Sequence, residues 1–261
     1  MFITIQTRSN YCGANIIVIF ANFWNSMRHL ILLICMFACM NAAFSQQFEV
    51  GPFVGGANYI GDVGSTSYIN PTGLLVGGLV KYNRSNRHSY RLSILYAEFS
   101  ADDAKSSQVR RQQRGYSFTN HIAEASLGLE FNFYSFDLSE PVTQSTPYLY
   151  TGLTYFNTKH FYLDRDLPAR GILEPQGNNW EFSIPMVFGY KQTLSRRIIG
   201  AFEIGARYTF TDNIDGSNPQ ELLGRRAPPR EFGNVNTTDW YVFSGVSLTF
   251  TFGRKPCYSH F

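Results

Sequence analysis

Charge is scarce in this sequence: Asp, Glu, Lys and Arg together make up 16% of its 261 residues, against roughly 25% in an ordinary soluble domain. That scarcity, with no heptad pattern, argues against a coiled coil or a nucleic-acid-binding arm. The formal charge of +3 overstates the basic balance, because Arg8 and Arg28 both precede the first acidic residue, Glu49. Without residues 1–45 the chain carries 20 basic against 19 acidic side chains, a net of +1, so nothing steers it toward nucleic acid. Long hydrophobic runs are missing too: Ile16–Phe20 and Leu30–Cys39 fall short of the ~18 to 20 residues that a transmembrane helix requires. Cysteine occurs only at positions 12, 35, 39 and 257, so a chain starting near Gln46 keeps Cys257 alone. A disulfide scaffold and a structural zinc site are thereby excluded.

The second apolar run reads as the core of a signal peptide spanning 27–45. Met27-Arg28-His29 supplies the basic start, Leu30–Cys39 the apolar centre, and Ala43-Phe44-Ser45 a small-x-small cleavage site before Gln46. Residues 1–26 read as upstream sequence translated from an earlier codon, the alternative being an unusually long n-region. Met36-Phe37-Ala38-Cys39 is a poor lipoprotein box because Phe37 is bulky. Export follows, and Cys257 becomes either an idle thiol or a point of intermolecular pairing.

What the exported part does have is aromatics, 16% of all residues, set in period-two alternation. From Ala123 to Phe133 the odd positions are Ala, Ala, Leu, Leu, Phe and Phe, while Glu124, Ser126, Gly128, Glu130 and Asn132 occupy the other face. Phe182, Ile184, Met186, Phe188 and Tyr190 oppose Glu181, Ser183, Pro185, Val187, Gly189 and Lys191 in the same way. Tyr90, Leu92, Ile94 and Tyr96 oppose Ser89, Arg91, Ser93, Leu95 and Ala97. The pattern predicts eight strands at about 48–58, 72–82, 88–99, 122–134, 147–157, 180–193, 198–208 and 239–252. Strands one and two are blurred by Gly51, Gly55, Gly56, Gly77 and Gly78, and Tyr148, Leu149, Tyr150 and Leu153 make the fifth two-sided.

An even strand count, connections alternating between short and long, and aromatic strand ends together predict an all-β fold. The expectation is an eight-stranded antiparallel transmembrane barrel of the outer membrane over residues 46–252, in contact with membrane lipid. The short connections Asn83–Arg87 and Ser195–Arg197, with 135–146 and a tail at 253–261, face the periplasm. The rival is a soluble eight-stranded barrel of lipocalin type, with its apolar face turned inward around a ligand.

Eight strands leave an interior that side chains can fill. Arg91, Glu124, Glu130, Glu181, Lys191, Glu203 and Arg207 fall on predicted inward faces, and buried charges must pair. An internal ion-pair network is the expectation, with a proton or ion path as its functional alternative. No catalytic triad emerges: His121 precedes Glu124 and Ser126, but alternation sends those two into the lumen at different depths, and His121 reads as a rim residue. Asp102-Asp103, Asp164-x-Asp166 and Asp212-x-x-Asp215-Gly216 lack calcium-loop spacing and read as turn chemistry. No catalytic, metal or cofactor site is read. Arg110-Arg111-x-x-Arg114 and Arg225-Arg226-x-x-x-Arg230 read as solvated loop charge, with lipopolysaccharide phosphates as alternative partners.

Several segments resemble the PorG-like outer-membrane barrels of the type IX (Por) secretion system. They include Gly55-Gly56-Ala57-Asn58-Tyr59-Ile60-Gly61-Asp62, Arg87-His88-Ser89-Tyr90-Arg91 and Thr146-Pro147-Tyr148-Leu149-Tyr150-x-Gly152. Asn70-Pro71, Ile184-Pro185, Gly205-x-Arg207-Tyr208-Thr209-Phe210-Thr211-Asp212, Asp239-Trp240-Tyr241 and Phe252-Gly253-Arg254-Lys255-Pro256-Cys257 complete the set. Asp212-Asn213-Ile214-Asp215-Gly216 departs from the aromatic and paired aspartates expected there. The resemblance implies a noncatalytic accessory scaffold that anchors a periplasmic ring, built from a lipoprotein and its partner protein, to the outer membrane. Arg254, Lys255, Pro256 and Cys257 are the expected partner contacts. The alternative is a porin-like channel for small solutes or hydrophobic molecules.

Overall fold

A computed structural model describes residues 47–65, 67–138, 140, 142–162, 173–217, 232, 234 and 238–252. The expected signal peptide and upstream extension, Asp164, Asp166, the Arg225–Arg230 cluster and the 253–261 tail lie outside them. The strands are β1 (Gln47–Ile60), β2 (Gly73–Asn83), β3 (His88–Asp102), β4 (Ser117–Asn132), β5 (Ser145–Tyr162), β6 (Glu174–Thr193), β7 (Ile198–Thr209) and β8 (Trp240–Phe252). All eight predicted strands are present. Each pairs antiparallel with its sequence neighbours, and β1 closes on β8 from Phe48↔Phe252 to Ile60↔Trp240. Closure satisfies the edges that an open sheet would expose.

The alternation resolves which face looks where. Leu92, Ile94, Leu127, Phe182, Met186, Phe188, Val246 and Leu248 are exposed on the outer wall, while Arg91, Glu124, Glu130, Lys191 and Glu203 are buried within. A soluble ligand-binding barrel has the reverse polarity, so that rival is excluded. The chain is a transmembrane barrel of the outer-membrane type, with an apolar belt and a polar interior. Tyr82 and Tyr90 stack near one edge of the belt, as Tyr155 and Trp180 do at the other. These pairs make the interfacial girdles.

Four strands run well past their expected ends at this side. β3 ends at Asp102, β4 begins at Ser117, β5 ends at Tyr162 and β6 begins at Glu174, joined by Asp102↔Ser117 and Tyr162↔Glu174 pairs. Outward positions there, Thr119, His121, Lys159 and Asn178, are polar, so the hydrophobic alternation stops while the hydrogen-bonded ladder continues. The wall thus stands above the lipid on one side. A 3-10 turn (Asp103–Lys105) and a short helix α1 (Val109–Arg114) fold over it. Inside this extracellular end, Tyr59, Val63, Phe99, Phe118, Phe161, Leu173 and Ile214 form a buried apolar cap.

Candidate functional site

The lumen is crossed by side chains from opposite walls, since strands four apart in an eight-stranded barrel face each other. Arg91 on β3 reaches Glu203 on β7 through two bonds, Nη1 to Oε2 at 2.6 Å and Nη2 to Oε1 at 2.7 Å. Lys81 on β2 and Lys191 on β6 converge on Glu130 of β4, their Nζ atoms 2.7 and 2.6 Å from its two oxygens. The Tyr148 hydroxyl donates to Glu203 Oε2 at 2.6 Å, and the ring lies 5.1 and 5.4 Å from the two ammonium groups. One level toward the outside, Arg207 Nη2 donates to Glu124 Oε1 at 3.2 Å and Tyr241 donates to Glu124 Oε2 at 2.8 Å. Glu49 completes the buried set, accepting from Asn83 and Thr249.

Lys81, Arg91, Lys191 and Arg207 thereby balance Glu49, Glu124, Glu130 and Glu203, all of them at most 3% exposed. The network brings together Arg91, Glu124, Glu130, Lys191, Glu203 and Arg207 as expected, but not Glu181. That carboxylate is 28% exposed toward the extracellular mouth, and its nearest basic group, His160 Nε2, stands 3.8 Å away, beyond hydrogen-bond reach. It projects inward above the level at which opposite walls meet. Lys81 and Glu49 are additions that the sequence reading missed. Both follow the inward alternation of their strands, hidden by the flanking glycines. Tyr148 and Tyr150 also point inward, at 0% and 2% exposure, which resolves the two-sided fifth strand.

The extracellular end holds a second cluster. Asp103 is fully buried and receives the Arg114 guanidinium at 2.7 Å and 3.0 Å, together with the backbone N–H groups of Gly64 and Tyr116. Arg114 also donates to the Asp62 carbonyl at 2.6 Å and packs its plane over Tyr116 and Phe232. Asp215 accepts from the N–H groups of Asp62, Val63 and Ser217, while Asp239 accepts from Ile214 N–H and the Tyr59 hydroxyl. Burial pushes both carboxyls above their ordinary range, and Asp215 adds its charge against Asp239. Asp103 and Asp215 are therefore long-range clasps rather than simple turn residues, and Arg114 is not solvated loop charge. Nothing in the sequence marks which loop each would reach.

His121 lies on the outer wall with Tyr96 and Glu98, on the opposite face from Glu124 and Ser126, so the three share no site. Among the described residues, no group of three His, Cys, Asp or Glu side chains is placed to hold a metal. Arg254, Lys255, Pro256 and Cys257 lie outside the described residues.

Several solved structures have similar chain traces. The N-terminal β-barrel domain of OprF from Pseudomonas aeruginosa is 14% identical over 80% of this chain and 98% of its own, with a TM-score of 0.40. Ail, the attachment invasion locus protein of Yersinia pestis, is 7% identical over 80% of this chain and 100% of its own, with a TM-score of 0.43. A major outer membrane protein from Thermus thermophilus is 14% identical over 80% and 100%, with a TM-score of 0.41. No curated protein matches the chain. A family model described as "Domain of unknown function (DUF6089)" matches residues 27–260, and the chain belongs to that family.

Proposed function

We propose that this protein is a noncatalytic scaffold of a type IX secretion apparatus, holding a periplasmic ring of a lipoprotein and its partner protein against the outer membrane. The observation that carries this reading is the set of crossbars, Arg91 to Glu203 and Lys81 to Glu130 to Lys191, which fill the periplasmic half of the lumen. A barrel filled in this way is built to be rigid rather than to conduct, and rigidity suits an anchor. The PorG-like segments, which run through the exported chain, supply the secretion system. The crossbars also weigh against a porin-like channel.

The test is the extracellular proteome of a strain lacking the protein, beside its parent and a complemented strain. Loss of secreted cargo, its accumulation in the periplasm and recovery on complementation are expected. An unchanged secretome would sink the reading.

A further inference from the structure

The periplasmic end carries a preformed cleft of about 210 Å³ between the β4–β5 connection and the β6–β7 turn. Its walls are fixed to each other. Thr193 N–H donates to the Gln144 carbonyl at 2.9 Å, and Gln144 N–H returns a bond to Thr193 Oγ1 at 2.8 Å. The Arg197 carbonyl accepts from Thr251 N–H at 2.8 Å, tying the turn to the end of β8. The cleft has an apolar part, with Val142 and Leu194 55% and 60% exposed and Ile199 buried beneath. Arg196 and Arg197 flank it, both exposed.

Charge at this end is one-sided. Arg84, Arg87, Arg196 and Arg197 are all exposed, and none forms an ion pair among the described residues, whereas the described acids of the same end are Asp137 and Glu140. Glu140 already accepts from Gln144. Unpaired arginines beside a rigid apolar cleft suit a ligand that brings an apolar side chain and carboxylates together. The chain's own tail carries Arg254 and Lys255, charges of the same sign as Arg196 and Arg197 and so no complement to them.

We infer that this cleft docks an acidic peptide segment of a periplasmic partner protein, an apolar side chain entering between Val142 and Leu194 and flanking carboxylates meeting Arg196 and Arg197. The inference rests on the scaffold reading for the existence of such a partner.

The test places a photocrosslinking amino acid at position 142 of the full chain in living cells and sequences the crosslinked peptide by mass spectrometry. The expected product is an acidic segment of a periplasmic protein. Its yield should fall about tenfold in an R196E/R197E double variant and recover when acids of that segment are replaced by lysine. Unchanged heat-modifiable migration on gels shows that the double variant still folds. A crosslink to lipid, to residues 253–261 of the same chain or to a neutral or basic segment overturns the inference, as does a yield indifferent to charge reversal. The two readings fail separately. An unchanged secretome removes the secretion role while a charge-dependent crosslink stands, and an indifferent crosslink removes the docking site while the secretome defect stands.

Discussion

Arg91 and Glu203 stand on opposite walls of the barrel, and each presents both of its polar edges to the other, at 2.6 and 2.7 Å. A fork-to-fork pair of this kind fixes orientation as well as charge. Because β3 and β7 are four strands apart, the pair sets the bore of the cylinder at that level, and Glu130 with its two lysines does the same between β4 and the β2 and β6 walls.

Glu130 is the more costly carboxylate to lose, because Lys81 and Lys191 would be left facing each other. Glu130→Ala should destabilise the barrel by about 3–5 kcal/mol, the range for breaking a buried pair. Lys191→Met should cost less, since Lys81 still neutralises the carboxylate. Urea unfolding in lipid vesicles, followed by the loss of heat-modifiable migration, measures both. A larger loss for Lys191→Met would contradict the hub role of Glu130.

Gly189 makes room for Tyr148. A Cβ at that position would lie 2.3 Å from the Tyr148 Cζ and 2.6 Å from its hydroxyl oxygen, so the ring would have to move away from Glu203 and from both lysines. Gly189→Ala should cost about 1–3 kcal/mol by overpacking. Tyr148→Phe removes only the hydroxyl, whose partner is the Glu203 carboxylate, and should cost about 1.5–3 kcal/mol. The same unfolding assay measures both, and no loss for Gly189→Ala would show that the ring relaxes freely.

The barrel was legible where one face is wholly apolar and the other wholly polar, as from Ala123 to Phe133, because lipid outside and paired charge inside impose opposite chemistry on alternate residues. It was less legible where apolar bodies turn inward. Tyr148 and Tyr150 look like membrane residues until their hydroxyls find Glu203 and Ser126. Lys81 was missed because Gly77 and Gly78 erase the alternation beside it. The extracellular clasps were illegible for another reason: Asp103 and Asp215 act through backbone N–H groups of distant loops, which leave no mark in local composition.

Arg114 ties α1 to the loop that follows β1. It holds Asp103 by a fork and the Asp62 carbonyl by a further bond, so lysine, with a single point charge, cannot replace it. Arg114→Lys should loosen the cap without unfolding the barrel. With the arginine side chain 22% exposed and Asp103 fully buried, Arg114→Ala should cost the cap about 2–3 kcal/mol, below the ~3–5 kcal/mol of a fully buried pair. Limited proteolysis of folded protein should then cut near residues 103–116 faster in both variants, while the β-barrel fragment survives.

The carboxyls of Asp215 and Asp239 make the extracellular cap sensitive to pH. Burial raises both, and for Asp239 the neighbouring charges of Asp215 and Asp212 act in the same direction. The closed cap consequently holds protons that opened, solvated loops release, so raising the pH favours opening. The stabilisation is complete below the ordinary carboxylate range near pH ~4 and is lost as pH rises through the raised values. Val63 and Ile214 donate their N–H groups to these two carboxyls, and their amide exchange reports the clasp directly. After correction for the intrinsic base-catalysed rate, protection at both amides should fall with rising pH in the parent protein. Asp239→Asn keeps a hydrogen-bonding group of the same shape but cannot ionise, and should flatten that fall. A slope unchanged in this variant would assign the pH response to some other group.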